Sequence, residues 1–229
     1  RFYATGNVLT SIGDFSGTHK TTASKIIRRV TTALCLIKHR FVYLPEGEER
    51  VAIMEGFYNI AAFPRVILAI DGTHVRIQSP GACDHHLKIR NVVARWPGSS
   101  NDINVFMNSA LKARFEEGMG NCVMLGDSGY PVSKYLLTPL LHPQNEAEIR
   151  YNESQIRTRN PIERCIGVWK GRFPVLALGI RLNLETAQEI IVATAILHNL
   201  AIIENEPEPD VNDNIQRLID EVIPCRCSK

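Results

Sequence analysis

Apolar and polar positions fall in blocks along the chain, and the blocks predict a mixture of strands and helices. The run 66–77 is dense in branched aliphatics and predicts a strand long enough to cross a domain core. Further strands are expected over 87–96, over the short buried run 122–126, and over 135–141. A helix is expected to run to about Lys38, with Ile26, Ile27, Val30, Ala33, Leu34 and Ile37 as its apolar stripe. Gly13–Gly17 would form the turn before it, and Thr18 or Thr21 its cap. Residues 50–60 and 101–117 are expected to be helical, the latter through Ile103, Val105, Phe106, Ala110, Leu111 and Phe115. Two more helices are expected, one beginning at Asn160 and a strongly apolar one over 186–204 that must pack in the core. His198 in that last helix reads as a hydrogen-bonded packing residue. Strands interleaved with helices predict an α/β fold. The expected units are a helical segment over 1–45, a main domain over 50–205, and an acidic flexible tail over 206–229 with one short helix around Ile215–Ile223.

Net charge changes this picture little, since it is only +2 over 229 residues. Its distribution says more. Residues 18–40 hold six Lys/Arg and no acid, and 157–181 hold six with Glu163 as the sole acid. Residues 204–221 hold seven acids and one Arg. Two basic stretches and an acidic tail suit a polyanionic partner, although solvated helix faces look the same. A basic helix behind a Gly-containing turn also fits a helix-turn-helix.

The six cysteines are scattered, with no C-x-x-C pair, and Cys225 and Cys227 lack the matching Cys/His pair that zinc needs. Cys122 and Cys165 lie in apolar stretches, as reduced core thiols do. No signal peptide is visible and no apolar run of membrane-spanning length is expected, so a soluble protein of a reducing compartment is predicted. The chain starts at Arg1 rather than Met, so a preceding segment is expected.

Three carboxylates stand out. Asp71 interrupts the 66–77 strand, where burial costs several kcal/mol unless a cation or donor compensates it. It faces either a metal or the backbone donors of Gly72 and Thr73. Asp127 follows the 122–126 strand at a Gly/Pro turn, where open α/β sheets place their chemistry, or where an Asx-turn closes a loop. Glu163 lies at N3 behind Asn160 at the N-cap and Pro161 at N1, a capping box that explains it without a metal but leaves it at the helix edge. Together the three suit Mg²⁺ or Mn²⁺, hard cations that leave positions open for water and phosphate oxygens.

Four segments carry a resemblance: Ala69-Ile70-Asp71-Gly72-Thr73-His74; Ala94-Arg95-Trp96-Pro97-Gly98-Ser99; Leu125-Gly126-Asp127-Ser128-Gly129-Tyr130-Pro131 with Leu136-Leu137-Thr138-Pro139; and Arg157-Thr158-Arg159-Asn160 followed by Glu163-Arg164. In this order they resemble the PIF/Harbinger DDE transposases, and more closely the harbinger transposase-derived nucleases, over residues 1 to 205. The resemblance implies an RNase H-like mixed sheet flanked by helices and a metal-dependent DNA nuclease or strand-transfer centre. It puts the acidic triad, catalytic and metal-binding, on Asp71, Asp127 and Glu163. It also implies a helix-turn-helix-like N-terminal segment, a Myb/SANT-like partner protein that assists DNA binding and nuclear entry, and residence in the nucleus, with some in the cytoplasm.

One departure stands out. Relatives follow the first strand with a segment rich in Asn, Arg, Lys, Gly and Tyr that leads into a second strand beside it. Here Gln78-Ser79-Pro80-Gly81 reads as a loop running straight into Ala82-Cys83-Asp84, so most of the second strand is expected to be missing. Residues 87–96 would then pair with the first strand, or leave its edge bare. Three functions compete: a metal-dependent DNA endonuclease; a catalytically inactive DNA- or partner-binding module using 18–40 and 157–181; and a metal hydrolase of other substrates, which would need a His-rich site around His74.

Overall fold

The computed structural model describes residues 2–5, 16–75, 77–94, 96–97, 102–180 and 182–209, and the aliphatic runs form the centre of one mixed sheet. Its strands are β1 (Val66–Val75), β2 (Ile77–Cys83), β3 (Ile89–Val92), β4 (Trp96–Pro97), β5 (Val123–Leu125) and β6 (Leu136–Leu137). The order is β3-β2-β1-β5-β6, with β4 also paired to β2. The β1–β2, β2–β3 and β2–β4 pairs are antiparallel, whereas β1–β5 and β5–β6 are parallel. Val66 to Ala69 are fully buried, so both faces of β1 are covered, as a parallel pairing flanked by helices requires.

The second strand is present, against expectation. β2 folds straight back on β1 in register from Ala69↔Cys83 to Val75↔Ile77, so the segment read as a loop is strand and β1 has no bare edge. Pro80 is tolerated because β2 pairs β3 over 81–83 and β4 over 77–78. No ladder bond is asked of residue 80 on that side, which is where a strand proline can sit. Residues 87–96 accordingly pair with β2 through β3 and β4, not with β1.

The helices are α1 (Phe2–Thr5), α2 (Lys20–Leu36), α3 (Lys38–Phe41), α4 (Gly47–Ala61), α5 (Asp102–Met107), α6 (Ala110–Gly118), α7 (Glu146–Arg159), α8 (Pro161–Arg172), α9 (Pro174–Leu178) and α10 (Leu184–Ile203). The cap of α2 is His19, whose Nδ1 accepts from the Thr21 amide at 3.4 Å, in place of Thr18 or Thr21. Only half of its expected stripe turns inward: Ile27, Leu34 and Ile37 are half-buried while Ile26, Val30 and Ala33 are exposed, and the buried residues are Ala23 and Thr31 instead. Thr31 wins the interface because the Tyr3 hydroxyl lies 2.5 Å from its Oγ1, and Cys35 and Thr32 reach Glu189 on α10. Gly13–Phe15, the core of the expected turn, lies outside the described residues, as do Ile215–Ile223, Cys225 and Cys227. The helix expected over 101–117 is broken in two, with Ser109 capping α6 through the Lys112 amide at 3.1 Å.

At 20 residues, α10 is long and apolar enough to cross a membrane by length and composition, contrary to the expectation that no run approaches that length. It is a core element here: Ile190, Ile191, Ala193, Ala195 and Ile196 are at most 1% exposed. His198 Nε2 donates to Leu87 O at 2.9 Å, and Asn199 takes Ile89 N at 2.7 Å while giving Nδ2 to Ile89 O at 2.8 Å. These bonds fasten β3 to α10. Among the described residues Cys35, Cys83, Cys122 and Cys165 are free thiols.

Candidate active site

The parallel pairing of β1 and β5 brings the segments that carry Asp71 and Asp127 next to each other. Ala69 is in register with Leu125, and each aspartate lies two residues further along its own chain. Across the other edge Asp71 pairs in register with Gly81, which brings no side chain beside it. The carboxylate of Asp71 is mostly buried, with 19% of its side chain exposed.

Asp127 closes an Asx-turn, Oδ1 accepting from the Gly129 amide at 3.0 Å while its carbonyl takes Tyr130 N at 3.2 Å. Gly126 before it leaves room for its neighbours, since a Cβ there would crowd Tyr130 Cδ2 at 3.0 Å and Leu136 Cδ1 at 3.2 Å. The structural role weighed for Asp127 is therefore real, and it fixes the side chain at the strand tip.

The α7 helix was invisible to the apolar pattern because it is polar nearly throughout, and it organises this end of the sheet. Buried Gln155 donates Nε2 to Gly126 O at 2.9 Å, and Tyr151 OH donates to Thr138 O at 3.0 Å, tying α7 to the β5 and β6 ends. Its last residue, Arg159, then reaches Glu163 Oε1 with Nη2 at 2.5 Å and Asp71 Oδ2 with Nη1 at 3.7 Å.

The expected capping box at Asn160 does not form. Asn160 has φ −47° and ψ −32°, helical values that continue α7 into α8, and its side chain caps nothing. A cap needs an extended backbone. An N-cap forms instead at the start of α7, where Asn145 Oδ1 accepts from Glu148 N at 3.0 Å and Glu148 takes Asn145 Nδ2 at 2.9 Å and the Gln144 amide rather than the N-cap amide. Glu163 therefore has no capping duty, and its carboxylate is turned to Arg159.

Lys170 lies on α8 two turns beyond Glu163, fully buried, and its Nζ has no hydrogen-bond partner among the described residues. Burial pulls its amine down to about 8, against the opposing pull of the Asp71 charge. Lys170 did not stand out in the sequence, and Arg159 did so only within the segment 157–160 that carries the resemblance, without a role of its own. The usable signal was the density of cations around Glu163, which reads as a surface patch until the fold turns two of them inward.

Among the described residues no three His, Cys, Asp or Glu side chains gather closely enough to hold a metal ion. Two of the three expected carboxylates do share one cation, Arg159, and all three offer the hard oxygen donors that Mg²⁺ or Mn²⁺ takes. The side chain of His74 lies outside the described set.

The basic stretch at 157–181 is not one surface. Arg164 pairs with Glu208 and Arg172 Nη2 donates to Pro207 O at 3.1 Å, so the start of the acidic tail lies on α8. Arg157 is exposed, Arg159 and Lys170 face the site. In α2, by contrast, Lys20, Lys25, Arg28 and Arg29 are all exposed.

A family model described as DDE superfamily endonuclease matches residues 77–199, a span that includes Asp127 and Glu163 and begins six residues after Asp71. The chain is 32% identical to the rat protein named "Putative nuclease HARBI1" over 88% of its own length and 64% of that protein. It is 31% identical to the human protein of the same name over the same shares, and 25% identical to an Arabidopsis "Protein ALP1-like" over 88% of this chain and 58% of that one. The chain thus spans about 64% of the length of the HARBI1 relatives. No solved structure matches it. With more than half its residues matched, and with a mixed sheet flanked by helices that suits that fold, the chain belongs to the DDE superfamily endonucleases and is of the harbinger transposase-derived kind.

Proposed function

We propose that this chain is a transposase-derived DNA endonuclease of RNase H-like fold that hydrolyses phosphodiester bonds with Mg²⁺ or Mn²⁺ held by Asp71, Asp127 and Glu163. One observation carries this function: Asp71 and Glu163, from elements far apart in the chain, converge on a single cation beside the middle of β1, next to the segment after β5 that bears Asp127. When bound, a divalent ion would supply Lewis-acid stabilisation and an activated water there. The chain's own part is to hold the three carboxylates. β1 fixes Asp71, the Asx-turn orients Asp127, and α8 presents Glu163 from its first turn. DNA is the substrate, the nucleus the expected compartment with some protein in the cytoplasm, and a Myb/SANT-like protein the expected partner.

Nicking of supercoiled plasmid with and without Mn²⁺ tests this. The parent should nick only with metal, and Asp127→Asn should abolish nicking; cleavage surviving the substitution would refute the assignment. A second function, metal-independent DNA binding without catalysis, is favoured by the exposed cations of α2. It predicts retention of DNA in chelator, with affinity falling steeply as salt rises.

A further inference from the structure

The geometry points to Arg159 as an internal stand-in for the divalent cation, a positioning residue that holds Asp71 and Glu163 together before metal arrives and must withdraw for metal to enter. This rests on the metal-dependent function proposed above.

The argument starts from charge. Asp71 and Glu163 bring two negative charges beside the middle of β1, and Arg159 and Lys170 bring two cations that balance these two without any metal, leaving Asp127 as the third carboxylate. Arg159 sits between the carboxylates, 2.5 Å from Glu163 Oε1 and 3.7 Å from Asp71 Oδ2. A divalent ion held by these two carboxylates would have to share their neighbourhood with the guanidinium. At close quarters like charges repel strongly wherever water screens poorly. Ion and guanidinium therefore compete for one position.

Arg159 is also built to leave. Its Nε and Nη1 are buried with no hydrogen-bond partner among the described residues, so the short bond to Glu163 is the main tie on its head group. An arginine kept for stability ordinarily has its fork satisfied. The side chain still has 12% of its surface exposed and starts from the last residue of α7, so rotating it outward need not disturb the Gln155 anchor one turn earlier. Lys170 cannot take over the same part, because it is sealed inside α8.

The test is direct Mn²⁺ binding by calorimetry or electron paramagnetic resonance, with thermal melts in parallel, on the parent, Arg159→Gln, Arg159→Lys and Asp71→Asn. Removing the competing charge should tighten Mn²⁺ binding about tenfold or more in Arg159→Gln. The metal-free melt of that variant should fall while its Mn²⁺-induced rise grows. Arg159→Lys keeps the charge and should bind Mn²⁺ like the parent, guarding against misfolding as the cause of any change. Binding in Arg159→Gln equal to or weaker than the parent's, with the parent still binding, would overturn the stand-in role alone. No Mn²⁺ binding in the parent or in Arg159→Gln would overturn the metal-dependent function itself, and this role with it.

Discussion

Among the described residues, two clusters each join an inward-facing arginine to two carboxylates, and they are finished to very different degrees. In the first, Asp84 is fully buried in the turn between β2 and β3. Its Oδ1 accepts from His86 N at 2.8 Å and Lys88 N at 3.1 Å, and its Oδ2 from Arg90 Nε at 2.7 Å. Arg90 then reaches Glu49 on α4 at 2.6 Å and lies over the Tyr43 ring. Burial alone would pull the Arg90 guanidinium down, but Asp84 and Glu49 more than offset it and hold it above its ordinary value. In the second cluster Arg159 has one short bond and a looser ion pair to Asp71 at 3.7 Å, while its Nε and Nη1 and the Lys170 amine have no hydrogen-bond partner among the described residues. A satisfied network locks a fold, whereas orphaned buried cations cost stability and persist where something else requires them. On the proposed function, the contrast separates a structural site from a working one.

The sharpest way to break that contrast is Asp84→Ala. It leaves Arg90 charged and buried with its main partner gone, and unpairs two backbone amides besides. A loss of about 3–5 kcal/mol is expected in urea unfolding, the usual result of removing one partner from a buried pair. A loss below about 1 kcal/mol would put the cluster among solvent-exposed pairs and undo the comparison.

Lys170→Met should have the opposite sign. Asp71 keeps Arg159 in this variant, while an amine without a hydrogen-bond partner is replaced by an apolar chain of similar length. The expected gain is about 1–3 kcal/mol near neutral pH. The pH dependence follows from the depressed amine. Folded, Lys170 titrates at about 8; unfolded, at its ordinary 10.5, so between these values the unfolded chain binds more protons. The cost of burying the charge is thus fully present below about pH 8 and is relieved as pH rises toward 10.5. The advantage of Lys170→Met over the parent should shrink across that window. An advantage independent of pH would mean that Lys170 contributes through packing alone.

What the sequence made legible follows the same division. β1 and β5 were readable because fully buried strands are runs of aliphatics, and Asp71 within the first run and Asp127 just after the second stood out as breaks. β2 was not, since a strand carrying Gln78, Ser79, Pro80 and Gly81 has the local character of a turn and is fixed only by β1 on one side and by β3 and β4 on the other. α7 was missed because its stabilising signals are end signals, Asn145 with Glu148 at the start and Arg157 with Arg159 at the finish, with little apolar periodicity between. Without α7 the partner of Glu163 could not be named. The capping box was assigned to Asn160 because the residue pattern fits equally at 145 and 160, and only the backbone decides which of the two caps.

Glu163→Gln draws out that last distinction and carries the smallest expected change in stability. A capping glutamate would satisfy the N-cap amide, and Asn160 N is already bonded to Ile156 O at 3.1 Å. What Glu163 gives up is a partly exposed ion pair with Arg159, 40% of its own side chain being in solvent, and the Gln carbonyl can still accept from that guanidinium. Unfolding free energy should therefore move by less than about 1 kcal/mol, as for other exposed pairs. Metal-dependent nicking should nevertheless disappear, because a neutral amide is a poor ligand for a hard dication. Loss of nicking with an unchanged melt would put Glu163 on the working side of the division. A melt that falls as far as that of Asp84→Ala would move it to the structural side, and Arg159 would then be the second half of a fold-holding pair.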